Sequence, residues 1–209
     1  MPNTSLWDLF GEEPQSRSER VYHVDKPDIL DDGVYDFSVN DIKPDYYNGS
    51  QSTPACDSFL AYINVEGLPV CERFCLVQSR MNKPSSFLAS VGLKKRYEDF
   101  PETLFYKAIG KTGKCFITSY EADDGSIKNC IKYYIIPGED INLIEWREAV
   151  KRNAGYCCQK CGSTEHLQAH HKHPADEFPD EKYDIRNGEC LCAECHRKIH
   201  LPRFTRGKF

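Results

Sequence analysis

Two pairs of cysteines near the C-terminal end of the chain have the spacing Cys-x-x-Cys. The first pair is Cys158 with Cys161, and the second is Cys192 with Cys195. Each pair can direct two thiolates towards one ion, and the long segment between the pairs closes a loop. Four thiolates complete the tetrahedral coordination of Zn²⁺, so the spacing predicts a closed structural zinc site.

Other uses of these thiols are open at this point. The chain has 11 cysteines, an odd number, and its start (MPNTSLWDLFGEEP) has neither the basic nor the apolar region of an export signal. We therefore expect the cytoplasm, where clustered cysteines are more often metal ligands than disulfides. The alternatives to zinc are free buried thiols and disulfides. Cys157 and Cys190 flank the pairs and are interpreted as packing residues.

Histidines lie between and beside the cysteine pairs. His196 and His200 are four residues apart, so on a helix they share one face and can bind one metal. His170 and His171 are adjacent, and on a strand adjacent side chains point to opposite faces. This arrangement allows one of the two to bind a metal while the other faces a substrate.

The segments around these residues must supply the helices and strands that position them. Residues 141–154 (INLIEWREAVKRNA) have apolar residues at helical spacing, and Gly155 then ends the predicted helix. Residues 141–209 are too few to bury a large core unaided, which favours a small domain held together by a metal.

Residues 58–140 have the pattern of a β-rich domain. Segments rich in Ile, Phe and Tyr are separated by the turn sequences GKTG and EADDG, which is typical of antiparallel strands. We predict a short helix at residues 85–95 and strands at residues 59–65, 74–77, 104–109, 114–120 and 127–136. The cluster Lys94-Lys95-Arg96-Tyr97 offers cations beside an aromatic ring for nucleic acid, with a solvated loop as the alternative.

Residues 1–57 differ in charge from the rest of the chain. They hold 12 acidic and 4 basic side chains, a net charge of -8, within a chain of net charge -5. Their Asp, Pro, Asn, Ser and Gly content predicts an acidic, loosely ordered arm with at most two short strands. The segment from Leu6 to Phe10 (LWDLF) faintly resembles the peptides that bind bacterial sliding clamps, although their leading glutamine is absent.

The C-terminal residues, taken together, resemble the HNH nuclease family. A helix ends before the first cysteine pair, His170-His171 follows with Pro174 behind, and an acidic loop leads to Asn187. The second cysteine pair then continues into His196 and His200. The resemblance covers residues 145–201. It implies an α+β protein in which the β-rich N-terminal domain precedes a small, zinc-stapled ββα-metal domain of treble-clef type.

The resemblance also implies roles for individual residues. A catalytic divalent ion, Mg²⁺, Mn²⁺ or Zn²⁺, would be held by His170, His196 and His200. His171 would be the general base, with its ring oriented by Asn187, and His173 is the next candidate for the base. Phosphodiester hydrolysis needs a base that activates water and a cation that neutralises the developing charge. An imidazole with a pKa of about 6.5 suits the first task near neutral pH.

The function that we expect is DNA cleavage in restriction, or in nicking by a mobile element. Three cations beside the proposed site are candidate DNA contacts: Arg186, Arg197 and Lys198. One such site cuts one strand at a time, so double-strand cleavage would need a homodimer. The alternative function is a zinc-stabilised DNA-binding module without hydrolysis. Residues 58–140 would select the target, so a fragment starting near Ile141 would still nick DNA but lose its preference.

Overall fold

The computed structural model describes residues 29–93 and 103–200. The segment from Leu6 to Phe10 and the cluster from Lys94 to Tyr97 lie outside these residues. None of the helices in the described part of the chain has the length and apolar character needed to cross a membrane.

An antiparallel sheet of five strands forms the N-terminal region, in the order β3-β2-β1-β4-β5. The strands are β1 (Gly33–Tyr47), β2 (Cys56–Val65), β3 (Leu68–Cys75), β4 (Thr112–Glu121) and β5 (Ile127–Ile135). Glu66 and Gly67 join β2 to β3, and both have positive φ angles, which is the backbone that a two-residue hairpin turn requires. The predicted β-rich N-terminal region is confirmed.

Strand β1 lies at the centre of this sheet, although its residues were expected in the loosely ordered arm. The arm was expected to hold two short strands, whereas residues 33–47 form one long strand. A register shift between Val39 and Asp41 moves the buried positions from Phe37 and Val39 to Ile42, which interrupts the alternation typical of a strand. Pro44 also suggested a loop. It lies where β1 pairs with β2 alone, so its missing N–H need not cost a hydrogen bond.

Two helices pack against the sheet, α1 (Asn82–Ser90) and α2 (Thr103–Tyr106). The strand predicted at residues 104–109 is wrong, because this segment forms α2 and the turn after it. Leu104, Phe105 and Ala108 are buried, which is helical rather than alternating spacing. Phe105 stacks on Phe59 at a ring distance of 4.6 Å, so the helix fills the core beside the sheet.

The C-terminal region consists of helix α3 (Ile141–Asn153), strands β6 (Leu167–His171) and β7 (Gly188–Cys192), and helix α4 (Ala193–His200). The two strands are antiparallel. Helix α3 packs on them through Trp146 and Val150, which form an apolar cluster with Cys190. Gly188 permits this approach, because a Cβ atom there would lie 2.2 Å from Val150 Cγ2. The α+β fold class is confirmed.

A buried carboxylate joins helix α3 to the sheet. The side chain of Glu148 is 2% exposed and accepts hydrogen bonds from Lys132 Nζ at 2.5 Å, Tyr133 Oη at 2.5 Å and Lys151 Nζ at 2.9 Å. Burial by itself would raise the pKa of Glu148, but these hydrogen bonds outweigh it and hold the pKa below its usual range. Lys132 and Tyr133 belong to β5, so the predicted boundary near residue 140 is tied together by buried polar contacts.

Candidate metal centre and nuclease site

The four cysteines of the Cys-x-x-Cys pairs come together in one cluster. Cys158 and Cys161 lie in the turn after α3, Cys192 ends β7, and Cys195 lies in α4. Their four sulfur atoms are all within 4.8 Å of one another. Gly162 has a φ of 74° and donates its N–H to the Cys158 carbonyl at 2.8 Å, which closes the turn between the first two thiols.

The pKa values of these thiols are consistent with binding of a cation by the cluster. A hydrogen bond from the backbone N–H of Cys192 is the largest influence that lowers the pKa of Cys158, to about 6. The thiol of Cys161, followed by that of Cys192, raises the pKa of Cys195 to about 12. Sulfurs at this separation disfavour several negative charges at once, and a divalent ion removes that repulsion. A cluster of four sulfur donors therefore fits structural zinc.

The second cluster consists of three histidines, His170 from β6 with His196 and His200 from α4. Their nearest ring nitrogens all lie within 4.8 Å, and Nε2 of His200 is 3.3 Å from Nε2 of His196. Burial, followed by the charges of neighbouring histidines, lowers the pKa of His170 and of His196. Both rings are therefore neutral near pH 7, and a neutral imidazole is the form that binds a metal.

His171 is held by two contacts that differ from those of the histidine cluster. Its ring stacks on Trp146 of α3 with a centroid distance of 3.8 Å and an interplanar angle of 5°. Nε2 lies 2.8 Å from the carbonyl oxygen of Lys182. A carbonyl oxygen only accepts, so Nε2 carries the hydrogen and Nδ1 carries the lone pair. Nδ1 is therefore the basic atom of this side chain.

One cleft of about 420 Å³ brings His171 and the histidine cluster together. Lys172 and Ile199 also line it. A candidate base and three candidate metal ligands thus face the same space. The site combines a group that can accept a proton with groups that can hold a divalent ion.

The expected contact between Asn187 and the His171 ring is replaced by a different one. The Asn187 amide is 5% exposed, accepts a hydrogen bond from the His173 N–H at 2.8 Å, and donates to the carbonyls of His173 and Glu181. The Asn187 amide therefore joins the backbone at His173 to the backbone at Glu181, whereas the carbonyl of Lys182 contacts the His171 ring. The HNH resemblance indicated the position of Asn187, but the partners of its amide depend on the path of the intervening loop.

Two residues that support His171 were missed by the sequence reasoning, Asp140 and Trp146. Asp140 caps α3 at the Leu143 N–H and also accepts hydrogen bonds from Lys182 Nζ at 2.7 Å and Tyr183 Oη at 2.8 Å. The hydrogen bond from Lys182 is the largest influence that lowers the pKa of Asp140, to about 2. The only sequence signal was an acidic residue ahead of a predicted helix.

The remaining predicted residues do not line this cleft. Arg186 binds the carboxylate of its neighbour Asp184, and Lys198 pairs with Glu194 at 2.7 Å. Arg197 is exposed on α4. Nδ1 of His173, the alternative base, lies 2.7 Å from Glu181 Oε2. The structure thus leaves the three cations on the surface.

The comparison with protein families matches this region. A model of the family described as HNH endonuclease matches residues 158–201, which include both cysteine pairs and the histidine cluster. No curated protein matches the chain. The resemblance predicted from the sequence is confirmed over the matched residues, and we refer to residues 141–200 as the HNH module. This match supports nuclease activity in general, and residues 29–157 lie outside it.

Proposed function

We propose that the protein is a metal-dependent DNA endonuclease in which His171 is the general base. The observation that carries this proposal is the cleft that His171 shares with the three-histidine cluster. His170, His196 and His200 would hold the divalent ion, which would neutralise charge on the phosphate when bound. The four cysteines would hold structural zinc.

The proton transfer follows from the contacts of the His171 ring. Nδ1 accepts a proton from water, the water oxygen bonds to phosphorus, and the bond from phosphorus to the 3′ oxygen breaks. The departing 3′ oxyanion takes a proton from solvent and becomes the 3′-hydroxyl. The Lys182 carbonyl accepts from Nε2–H and stabilises the imidazolium that forms. Stacking on Trp146 and the contact of Nε2 with the Lys182 carbonyl restrict rotation of the ring, which fixes the position of Nδ1. The products would carry 5′-phosphate and 3′-hydroxyl ends, as the family resemblance implies.

The biological role that we propose is restriction, or nicking by a mobile element, with the sheet region selecting the target. The buried contacts of Glu148 support this division, because they hold α3 against β5. A reading surface on the sheet would then keep a constant position relative to the cleft. A fragment starting at residue 141 would lack Lys132 and Tyr133, and Glu148 would lose the hydrogen bonds that they donate. Target preference is therefore better tested on the full chain.

The test is cleavage of matched plasmids, unmodified or carrying modified cytosine, with Mg²⁺ or Mn²⁺. Substituting His171→Ala should slow cleavage by about 10²-fold to 10⁴-fold, because proton transfer loses its base. His173→Ala is the matched control and should cleave normally. His200→Ala should instead raise the concentration of divalent ion that is needed. Sequencing of the ends would map the cut sites.

Each result of this test distinguishes between specific alternatives. Near-normal cleavage by His171→Ala, together with loss of cleavage in His173→Ala, would assign the role of general base to His173. DNA binding without cleavage under all ion conditions would favour the non-hydrolytic DNA-binding module. Identical cleavage rates on the unmodified and modified plasmids would show that modified cytosine does not select the target.

A further inference from the structure

A second cleft of about 500 Å³ adjoins the cleft that contains His171. His170, Lys172 and Ile199 line both clefts, so the two clefts are immediate neighbours. The second cleft extends from His170 towards the cysteine cluster, where Lys160 and Cys195 line it. A polymer bound across the histidine cluster would therefore continue into this second cleft.

The lining of the second cleft is predominantly basic. It contains Lys160, Lys172 and Lys198, with Glu189 as its acidic member. Lys160 is 3.9 Å from Glu189, which is a loose ion pair between partly exposed groups and is worth little energy. Lys172 donates to the Arg186 carbonyl at 2.8 Å, and a neutral acceptor leaves the charge of the lysine uncancelled. Lys198 pairs with Glu194 at 2.7 Å, so Lys160 and Lys172 supply the positive charge that the cleft offers next to the candidate metal site.

We propose that this second cleft binds the sugar-phosphate backbone of the DNA strand on the zinc side of the histidine cluster. Lys160 and Lys172 contact its phosphates. This inference rests on the proposed function, because it takes the strand to cross the cleft that holds His171. It also changes the set of contacts expected from the sequence. Of the residues that line the two clefts, Lys198 alone belongs to that set, and Arg186 is neutralised by Asp184.

Salt dependence distinguishes a phosphate contact from a structural effect. A lysine that neutralises a phosphate releases a counterion, so the slope of log K against log salt changes by about 0.9 for each contact on duplex DNA. Such a contact carries no sequence information, so its loss weakens binding to all duplexes alike. A substitution that only destabilises the fold releases no counterion, so it is not expected to change the slope by the value for one phosphate contact.

The experiment measures binding of short fluorescent duplexes by the full-length chain with His171→Ala as the common background. Titrations are made over a range of NaCl, without added divalent cation or chelator, so that structural zinc stays bound. Lys160→Gln and Lys172→Gln test the two contacts. Lys128→Gln is the control, because Lys128 is an exposed lysine that pairs with Asp124 and lies in neither cleft.

Lys160→Gln and Lys172→Gln should each reduce the slope by about 0.9 and weaken binding to duplexes of different sequence equally. Lys128→Gln should leave the slope unchanged. Glu189→Gln should have the opposite effect on affinity and tighten binding, because it removes the negative charge of the cleft. A gain of affinity is not expected from damage to the fold, so this variant separates electrostatics from misfolding.

Two outcomes would overturn the proposal. If the background protein binds DNA and neither lysine variant changes the slope, the strand does not lie in this cleft, while the proposed nuclease function still stands. If the background protein binds no duplex at any salt concentration, the cleft and the proposed action on DNA are both wrong.

Discussion

Buried aromatic rings fill the sheet region, whereas the described part of the HNH module has small apolar clusters beside two groups of metal-binding side chains. In the sheet region Phe74 stacks on Phe87 at 4.8 Å, and further phenylalanines extend this core. In the HNH module the apolar cluster at α3 centres on Trp146, Val150 and Cys190. The comparison indicates that apolar burial stabilises the sheet, and it predicts that the module depends on cations that satisfy several side chains together.

The largest expected effect tests the dependence of the module on zinc. Cys192→Ser removes one of four sulfur ligands, and structural zinc contributes on the order of 10 kcal/mol to the folding of small domains. We expect loss of zinc and unfolding of residues 154–200, with the sheet region intact. Elemental analysis and mapped limited proteolysis measure both effects. Cys157→Ser is the control, because this thiol donates to the Ala154 carbonyl and lies outside the tetrad. Full zinc occupancy in Cys192→Ser would contradict the comparison.

The second prediction concerns the contact between the two regions. Glu148→Gln should destabilise the protein by about 3 kcal/mol at neutral pH, because it leaves the half-buried ammonium groups of Lys132 and Lys151 without their carboxylate. The folded-state pKa of Glu148 is depressed, so its contribution is present above the unfolded pKa of about 4.5 and is lost as pH falls through the folded value. The difference from the parent should therefore shrink in acid.

Urea unfolding at neutral and acidic pH measures this difference. Glu145→Gln is the matched control on α3, because Glu145 is exposed. A difference that stays constant over the whole pH range would indicate that the charge of Glu148 is not what joins the two regions.

The third prediction concerns packing inside the module. Gly188→Ala places a methyl group against Val150 and should cost about 1 to 3 kcal/mol, because α3 has to move away from β7. Val150→Ala in the same chain should recover part of that loss, which a double-mutant cycle of unfolding free energies measures. Gly33→Ala in β1 is the control, since the added Cβ atom would make an ordinary van der Waals contact with the Tyr35 side chain at 3.5 Å. Additive effects at positions 188 and 150 would contradict the close approach.

The smallest expected effect concerns Asp140 as a positioning residue. Asp140→Asn keeps a helix cap but weakens the hold on Lys182 and Tyr183, so the carbonyl that orients His171 becomes less constrained. We expect kcat for plasmid cleavage to fall about tenfold, with KM and divalent-ion affinity unchanged. Glu139→Gln is the neighbouring control. A change in KM alone would assign Asp140 to DNA binding instead.

The sequence by itself determined which side chains are the candidate metal ligands. Ligand chemistry restricts both residue type and spacing, so Cys158 with Cys161 and His196 with His200 indicate shared ions from their spacing alone. Helix α3 and strands β2, β4 and β5 were also readable, because each has a continuous periodic pattern within its own segment.

The tertiary structure decided what those local patterns do not contain. Strand β1 is central because β2 and β4 pair with it on either side. The bulge near Asn40 and the proline at position 44 interrupt its pattern, so the sequence of this segment did not indicate a long strand. Helix α2 forms at residues 103–106 because a short apolar run takes the conformation that best fills the core beside it.

The orientation of His171 was likewise decided by tertiary contacts. The Lys182 carbonyl and the Trp146 ring contact His171 from two separate parts of the chain. The Asp140 carboxylate binds the Lys182 side chain, and Asn187 binds backbone instead of the imidazole. Spacing along a chain specifies which residues can share an ion, because the ion brings them to one point. The direction of a hydrogen bond depends on loop paths through space, and only packing of the whole chain sets those paths.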